Sequence, residues 1–275
     1  RVLFRSAATL CSFRRFRDDK DVPLDDMDSD MMMAYEAYLK NNGVSPNSSS
    51  FYMRNLRAVY NRAVEKGLTS QRFPFKHVYT GVEKTVKRAV PLKVIKRIKE
   101  MDFSMNPSFD FARDMFLMSF YTRGMSFVDM AYLRKKDLQN GVLSYRRRKT
   151  GQQLFIKWEK CMQEIVDKYD TSQSNYLLPI IKPFGDIDER TQYIYAAHNI
   201  NRCLKIIGKE LGLSVSLTLY VARHAWASIA KSKNVPLSVI SEGMGHDSEA
   251  TTRIYLASLD TVAIDKANSM ILKSL

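Results

Sequence analysis

The chain has 275 residues, 45% of them hydrophobic, which suits a globular protein of one large domain or two smaller ones. Its 43 lysines and arginines outnumber 29 acidic residues, giving a net charge of +14 that fits a nucleic-acid partner without deciding it. No apolar run reaches the roughly 18 residues of a membrane span, so we expect a cytoplasmic protein without membrane contact. The cysteines and histidines lack metal-ligand spacing, so we expect no metal site.

Residues 1–80 have the pattern of a helical domain. The segment "MMMAYEAYLKNNG" follows acidic residues that suit a helix N-terminus and ends at a glycine, while "SPNSSSFYMRNLRAVYNRAVEKGL" has an apolar stripe at helical spacing. Arg54, Arg57 and Asn61 share another face of this second helix. Such a face is ordinarily a solvated surface, and in a basic helical bundle it also suits contact with DNA.

A basic segment separates this domain from the rest of the chain. Residues 81–91, "GVEKTVKRAVP", show no sustained periodicity, and we interpret them as a linker whose Lys84, Lys87 and Arg88 follow a DNA backbone. The helical pattern resumes at residue 92. It is interrupted by "GVLSYRRRKTGQQLFIKW", in which two β-favouring segments flank a Thr-Gly pair. This stretch predicts a small hairpin with a basic tip, with Tyr145, Arg147 and Lys149 on one side of its first strand.

Two arginines occupy apolar surroundings in the second part of the chain. Arg123 ends a mostly apolar helix in "SFYTRGMSF", and Arg223 lies in "YVARHAWAS", a segment apolar enough to be buried. A buried arginine requires a partner, which for one residue is usually an internal ion pair. For two arginines in a basic protein, a shared phosphate becomes a competing explanation.

These residues suit phosphoryl transfer without a metal ion. Such a reaction needs positive charge on the non-bridging oxygens, a nucleophile and an acid for the leaving oxygen. Arg123 and Arg223 suit the clamp, His246 a further hydrogen bond, Lys149 the acid and Tyr255 the nucleophile. Spacing alone assigns none of these roles, since a tyrosine on an apolar helix face is ordinarily a core residue.

The segment "LYVARHAWAS…MGHDSEATTRIYL" resembles the catalytic signature of the tyrosine recombinases, or phage integrases. Its sequence is most similar to those of integrases and invertases of Bacteroides-type bacteria. The second box of that family has an Arg-His pair before an aromatic-Ala-Ser/Thr helix, which here comprises Arg223, His224, Trp226, Ala227 and Ser228. Its third box comprises Met244, Gly245, His246, Thr252 and Tyr255.

The resemblance extends to most of the chain and implies a role for each matching position. Arg123 corresponds to the arginine of the first box, Asp129 to its acidic companion and Lys149 to the lysine of the hairpin, while His224 is implied to be a supporting residue. The implied reaction is site-specific cleavage and rejoining of DNA through a 3′-phosphotyrosine on Tyr255, without metal or another cofactor.

The implied fold is mostly helical with a small β-hairpin or sheet. It is a two-domain, C-shaped DNA clamp with a helical, SAM-like core-binding domain (1–80), a linker (81–91) and a mixed α+β catalytic domain (92–275). The implied partner is double-stranded DNA, on which four protomers assemble at two paired sites. We expect a monomer in the absence of DNA.

The chain departs from the family pattern at two places. Tyr220 occupies the position of the usual histidine three residues before Arg223, and a tyrosine is a poor base at neutral pH. The interval between Arg123 and Leu133 is also longer than usual. Two alternatives remain open at this point: a type IB topoisomerase, which needs no paired site, and a DNA-binding protein that has lost catalysis at Tyr220.

Overall fold

A computed structural model describes residues 2–83, 89–182, 187–256 and 269–272. The chain forms two compact units, which comprise residues 1–85 and 86–275. Lys84, Lys87 and Arg88 of the predicted linker lie outside the described residues. No helix of the described segments is long and apolar enough to cross a membrane.

In its described residues the first unit is a helical bundle that contains the α-helices α1 (Val2–Phe16), α2 (Ser29–Asn41) and α3 (Pro46–Glu65). The side chain of Asp28 accepts the backbone N–H of Met31 and so caps α2, and α3 begins with a proline, which needs no N–H partner there. Apolar residues at helical spacing on α2 and α3 form the core, among them Met32, Tyr35, Leu39, Met53, Leu56 and Tyr60.

The described residues of the second unit are mostly helical and include a small sheet. Its helices in chain order are α4 (Leu92–Glu100), α5 (Pro107–Tyr121), α6 (Phe127–Ala131), α7 (Lys160–Asp167), α8 (Glu189–Glu210), α9 (Leu219–Ser232), α10 (Leu237–Gly243) and α11 (Glu249–Leu256). Its strands are β1 (Leu138–Gln139), β2 (Val142–Arg146) and β3 (Gln153–Lys157). The predicted fold class, mostly helical with a small sheet, is therefore confirmed.

The three strands form an antiparallel sheet in the order β1-β2-β3. Leu143 pairs with Ile156 and Tyr145 with Leu154, and these four side chains are buried on one face of the sheet. The predicted hairpin is thus β2 and β3, and the short strand β1 was not predicted. Because side chains alternate along a strand, this register also determines which residues of the following loop turn inward.

Helix α5 is the centre of the second unit. It packs against α8 on one side and α9 on another, and its Met115, Phe116 and Met118 are fully buried. Helix α9 contributes Val221 and Ala225, which are equally inaccessible. This packing brings the turn after α5, which contains Arg123, next to the segment of α9 that contains Arg223.

Candidate active site

Arg223 is the central side chain of the site. It lies on α9, is only 6% exposed, and donates from Nη1 to the carbonyl oxygen of Gly124 (2.6 Å) and from Nη2 to that of Met244 (2.7 Å). The buried guanidinium is therefore bound by backbone carbonyls of two turns, one after α5 and one after α10. It links the two segments in which the first and third sequence boxes lie.

The turn after α5 has an unusual backbone that fits closely around this arginine. Arg123 and Gly124 both adopt left-handed conformations, with φ of 61° and 76°. A Cβ atom at Gly124 would lie 2.8 Å from Cα of Arg223, which is closer than real Cβ contacts occur, so only glycine allows this approach. The side chain of Arg123 reaches the end of α10, since its Cδ lies 3.6 Å from the position of a Cβ at Gly243.

His246 follows a tight turn at Gly245, whose φ is 64°. Its Nε2 lies 2.9 Å from Nη2 of Arg223, and its Nδ1 lies 2.7 Å from the hydroxyl of the buried Thr252. An arginine can only donate, so Nε2 accepts this hydrogen bond, and Nδ1 carries the proton and donates it to Thr252. The two hydrogen bonds thus fix both the orientation and the tautomer of the ring.

The surroundings of His246 favour its neutral form. Burial, which has the largest effect, and the positive charges of Arg223, Arg147 and Lys149 together lower the pKa of His246 from 6.5 to about 4. The imidazole is therefore uncharged at neutral pH in this arrangement.

The loop between β2 and β3 lies against the same turn. Arg147 is 6% exposed and its Nη1 donates to the carbonyl oxygen of Gly245, whereas Lys149 is exposed at the tip of the loop. The sequence predicted Arg147 as a DNA contact, but its guanidinium is directed inward. The hydroxyl of Thr150 also approaches the Gly245 carbonyl, at 3.4 Å.

Asp129, the predicted acidic companion of Arg123, is buried at the base of this loop. Its carboxylate accepts from the hydroxyl of Ser126 (2.6 Å) and from the backbone N–H of Arg148 (2.9 Å). Asp129 therefore joins the start of α6 to the loop after β2. This contact is consistent with a supporting role.

Tyr220 and His224 pack together on α9. The rings meet edge to face with centroids 4.6 Å apart; Tyr220 is 59% exposed, and His224 is buried. Tyr220 precedes Arg223 by nearly one helical turn, so its exposed ring lies on the same part of the helix surface.

Tyr255, the predicted nucleophile, lies on α11, three residues after Thr252. Its side chain lies outside the described part of the structure.

The predicted DNA contacts on α3 lie in the first unit. Arg54 and Asn61 are exposed, and Arg57 is half-buried, with Nη1 donating to the hydroxyl of Thr80 (3.1 Å). Nε of Arg54 is 3.4 Å from the carbonyl oxygen of Ser50, one helical turn earlier. All three positions thus lie at or near the surface of α3.

Sequence reasoning missed the roles of three residues in the second unit. Thr252 was recognised as part of a motif but not as the partner of His246, and Gly124 was not singled out. Arg147 was assigned to DNA rather than to the Gly245 turn. The signals for the last two were available, namely a glycine directly after the first arginine and the inward face that Arg147 shares with Tyr145.

Two protein-family models match the chain. The model of the phage integrase family matches residues 91–261, and that of the phage integrase SAM-like domain matches residues 5–78. This chain belongs to the phage integrase family. Membership makes it a tyrosine-type site-specific recombinase and confirms the resemblance recognised in the sequence.

Solved structures of integrases and recombinases share the fold of the chain at low identity. A lambda integrase (75–356) dimer bound to a COC′ core site has a TM-score of 0.71 at 16% identity, covering 92% of this chain and 87% of that one. XerH recombinase bound to palindromic difH substrate in a post-cleavage complex has a TM-score of 0.66 at 15% identity, covering 96% and 78%. The Tn1549 transposon integrase with a circular intermediate DNA gives 0.62 at 16%, covering 89% and 86%. No curated protein sequence matches the chain.

Proposed function

We propose that this recombinase cleaves and rejoins DNA strands at specific sites through a covalent 3′-phosphotyrosine on Tyr255, without a metal ion or high-energy cofactor. The observation that carries the proposal is the cluster around Arg223, in which the first-box turn, His246 and Thr252 are joined by hydrogen bonds. Family membership supports the reaction type.

The proposed reaction conserves the energy of the phosphodiester bond. The phenolic oxygen of Tyr255 attacks phosphorus, a phosphotyrosine ester forms, and the bond from phosphorus to the 5′-oxygen breaks. The phenol releases one proton to solvent, the 5′-oxygen gains one from Lys149 and the lysine regains one from solvent, so there is no net proton uptake or redox change. A 5′-hydroxyl of another strand reverses these steps and joins the new strand.

Arg123 and Arg223 are proposed to bind the non-bridging oxygens of the scissile phosphate, where negative charge develops in the transition state. His246 adds a hydrogen bond to the same phosphate. We assign Tyr220 as a hydrogen-bond donor to the phosphate rather than a base, since a phenol is almost fully protonated at neutral pH. Asp129 and His224 support the site from their buried positions.

The DNA partner and its mode of contact are also part of the proposal. Arg54, Arg57 and Asn61 contact one face of the duplex, and Lys84, Lys87 and Arg88 follow its backbone. We retain residues 1–80, 81–91 and 92–275 as core-binding domain, linker and catalytic domain, which the family matches at 5–78 and 91–261 support. Four protomers assemble on two paired duplex sites from monomers in solution, since a lambda integrase tetramer bound to a Holliday junction shares the fold.

The test uses supercoiled plasmid carrying the DNA that flanks the gene. Wild type and Tyr255→Phe are incubated with it in the absence of magnesium, and SDS-resistant protein–DNA adducts are measured. We expect an adduct from the wild type alone, with equal DNA binding by both proteins. Binding without an adduct on nicked substrates spanning that DNA would indicate a protein that binds DNA without cutting it. Relaxation that needs no second site would indicate a topoisomerase.

A further inference from the structure

Arg147 has a position that differs from those of its neighbours in the run Arg146-Arg147-Arg148. Arg146 and Arg148 are exposed, and the guanidinium of Arg148 lies over the ring of Tyr132, 3.7 Å from its centroid. Arg147 is instead buried, and it donates to the carbonyl oxygen of Gly245, the residue before His246. One arginine of the three is thus joined to the turn that carries the histidine.

The contact between this arginine and Gly245 is close on both sides. A Cβ atom at Gly245 would lie 3.0 Å from Cδ of Arg147 and 2.9 Å from Cδ1 of Leu154. Gly245 also has φ of 64°, a conformation that other residues rarely adopt. The backbone of the histidine turn is therefore packed directly against the hairpin.

The loop that carries Lys149 is fastened at both of its ends. The N–H of Arg147 donates to the carbonyl oxygen of Gln152 and the N–H of Gly151 to that of Arg147, both at 2.8 Å. The N–H of Arg148 donates to Asp129 at 2.9 Å. Two side chains link the loop to the histidine turn, namely the buried guanidinium of Arg147 and, at 3.4 Å, the hydroxyl of Thr150, and Lys149 lies between them in the chain.

We propose that Arg147 is a positioning residue that holds the loop 147–152 against the Gly245–His246 turn. In that position Lys149 and His246 can both contact the same phosphate. This inference rests on the proposed function, in which Lys149 protonates the 5′-oxygen. A long, flexible lysine on an exposed loop loses efficiency if its backbone moves, because about 1 Å of misplacement reduces a rate by about 10²-fold. Arg147 acts through Lys149 and does not contact DNA.

The first test does not depend on activity. Amide hydrogen exchange of the loop is compared in the wild type, in Arg147→Ala and in Arg147→Lys, which retains a charge and one donor for the Gly245 carbonyl. The matched control is Arg148→Ala, which removes the same charge one residue away but leaves its backbone N–H on Asp129. We expect the amides of Arg148 and Gly151 to exchange at least about tenfold faster in Arg147→Ala than in the wild type or the control. Unchanged exchange would overturn the anchoring role, whatever the protein does to DNA.

The second test separates positioning from DNA contact. Single-turnover cleavage of a nicked substrate is measured for Arg147→Ala, Lys149→Ala and the double variant. We expect both single variants to lose about 10²-fold, and the double variant to lose no more than Lys149→Ala. Arg148→Ala should cleave within about threefold of the wild type. Losses that multiply in the double variant would refute action through Lys149.

The salt dependence of DNA binding gives the third readout. A phosphate contact by Arg147 would reduce the slope of log K against log salt by about one unit, whereas a positioning residue leaves it unchanged. If Arg147→Ala unfolds, Arg147→Lys is the deciding variant. In that variant the protection of the loop amides against exchange and the cleavage rate must either both be retained or both be lost. Protection kept while cleavage is lost would contradict the proposal. Failure of the wild type to form any adduct would instead refute the proposed function, and the exchange experiment would still decide whether Arg147 anchors the loop.

Discussion

Replacement of Gly124 by alanine should impair the site through two separate costs. The first is conformational, because Gly124 has φ of 76° and a left-handed alanine costs about 1–2 kcal/mol. The second is steric, since the new Cβ would lie 2.8 Å from both Cα and Cγ of Arg223. Helix backbone cannot move aside as a flexible side chain does, and overpacking of this kind costs about 1–3 kcal/mol.

The sum predicts that Gly124→Ala lowers the free energy of unfolding by about 2–5 kcal/mol. It also predicts a loss of about 10²-fold or more in the single-turnover cleavage rate, because Arg223 is displaced from the position at which it is proposed to bind phosphate. Stability is measured by urea unfolding of the whole chain, and cleavage at protein concentrations that saturate the DNA. DNA affinity should change little.

The chain provides a matched control in Gly141, which lies between β1 and β2. Its φ is 73°, and nothing lies within 4 Å of a Cβ atom built on it. Gly141→Ala therefore carries the conformational cost of about 1–2 kcal/mol without the steric one. If Gly124→Ala unfolds and cleaves like Gly141→Ala, the close approach to Arg223 has no energetic consequence and the reasoning fails.

Three further predictions concern buried polar groups. Thr252→Val removes the acceptor of the His246 Nδ1–H. We expect it to lower the free energy of unfolding in urea by about 1–3 kcal/mol and to slow DNA cleavage. The pKa of His246 is lowered in the folded protein, so as pH falls from 6.5 to about 4 the imidazole is protonated in the unfolded chain but not in the folded one. The free energy of unfolding should therefore fall across this window, by about 1–2 kcal/mol after allowance for the partial exposure of the ring. Asp114→Asn removes the buried carboxylate that lies 2.5 Å from Lys168 and 3.0 Å from Arg113, leaving Asp110 as the acidic partner of both, and should lower the free energy of unfolding in urea by about 2–3 kcal/mol.

Each of these has a result that would contradict it. Thr251→Val, an exposed neighbour on α11, is the control for Thr252→Val, and equal effects of the two would exclude a specific role for the hydrogen bond to His246. His246→Asn should flatten the pH dependence of stability between 4 and 6.5, so an unchanged slope would assign that dependence to other groups. An unaltered urea midpoint in Asp114→Asn would show that the Asp114 carboxylate contributes no net stability.

Sequence patterns predicted the elements of the site because their signals are local. The periodicity of α9, the glycine before His246 and the two β-favouring runs around Thr150-Gly151 are each contained in a few consecutive residues. Family resemblance then ordered these pieces. Strand β1 was not predicted, because a strand of two residues is too short to show an alternation of apolar and polar side chains.

Contacts between distant segments were beyond such patterns. Arg223 was expected to be buried and is, but two of the groups that accept its hydrogen bonds are carbonyls 99 and 21 residues away in the chain, and no local pattern reports them. Arg147 illustrates a different failure, since its inward direction was readable. Leu143 and Tyr145 are buried, and a period of two continues the same face to Arg147; the basic character of the run outweighed that signal in the prediction.

The hydrogen bonds of Arg223 also suggest how a phosphate would enter the site. Two of them bind backbone carbonyls of the turns after α5 and α10, whereas another joins Nη2 to the neutral Nε2 of His246. A phosphate oxygen forms stronger, charge-assisted bonds than a neutral imidazole, so we expect it to replace the bond to His246 before the bonds to the carbonyls. Nε2 would then face an anion instead of a cation, which raises the pKa of His246 and favours a proton on that nitrogen. The event that binds phosphate to Arg223 would thereby convert His246 from an acceptor into the donor that the proposed reaction needs.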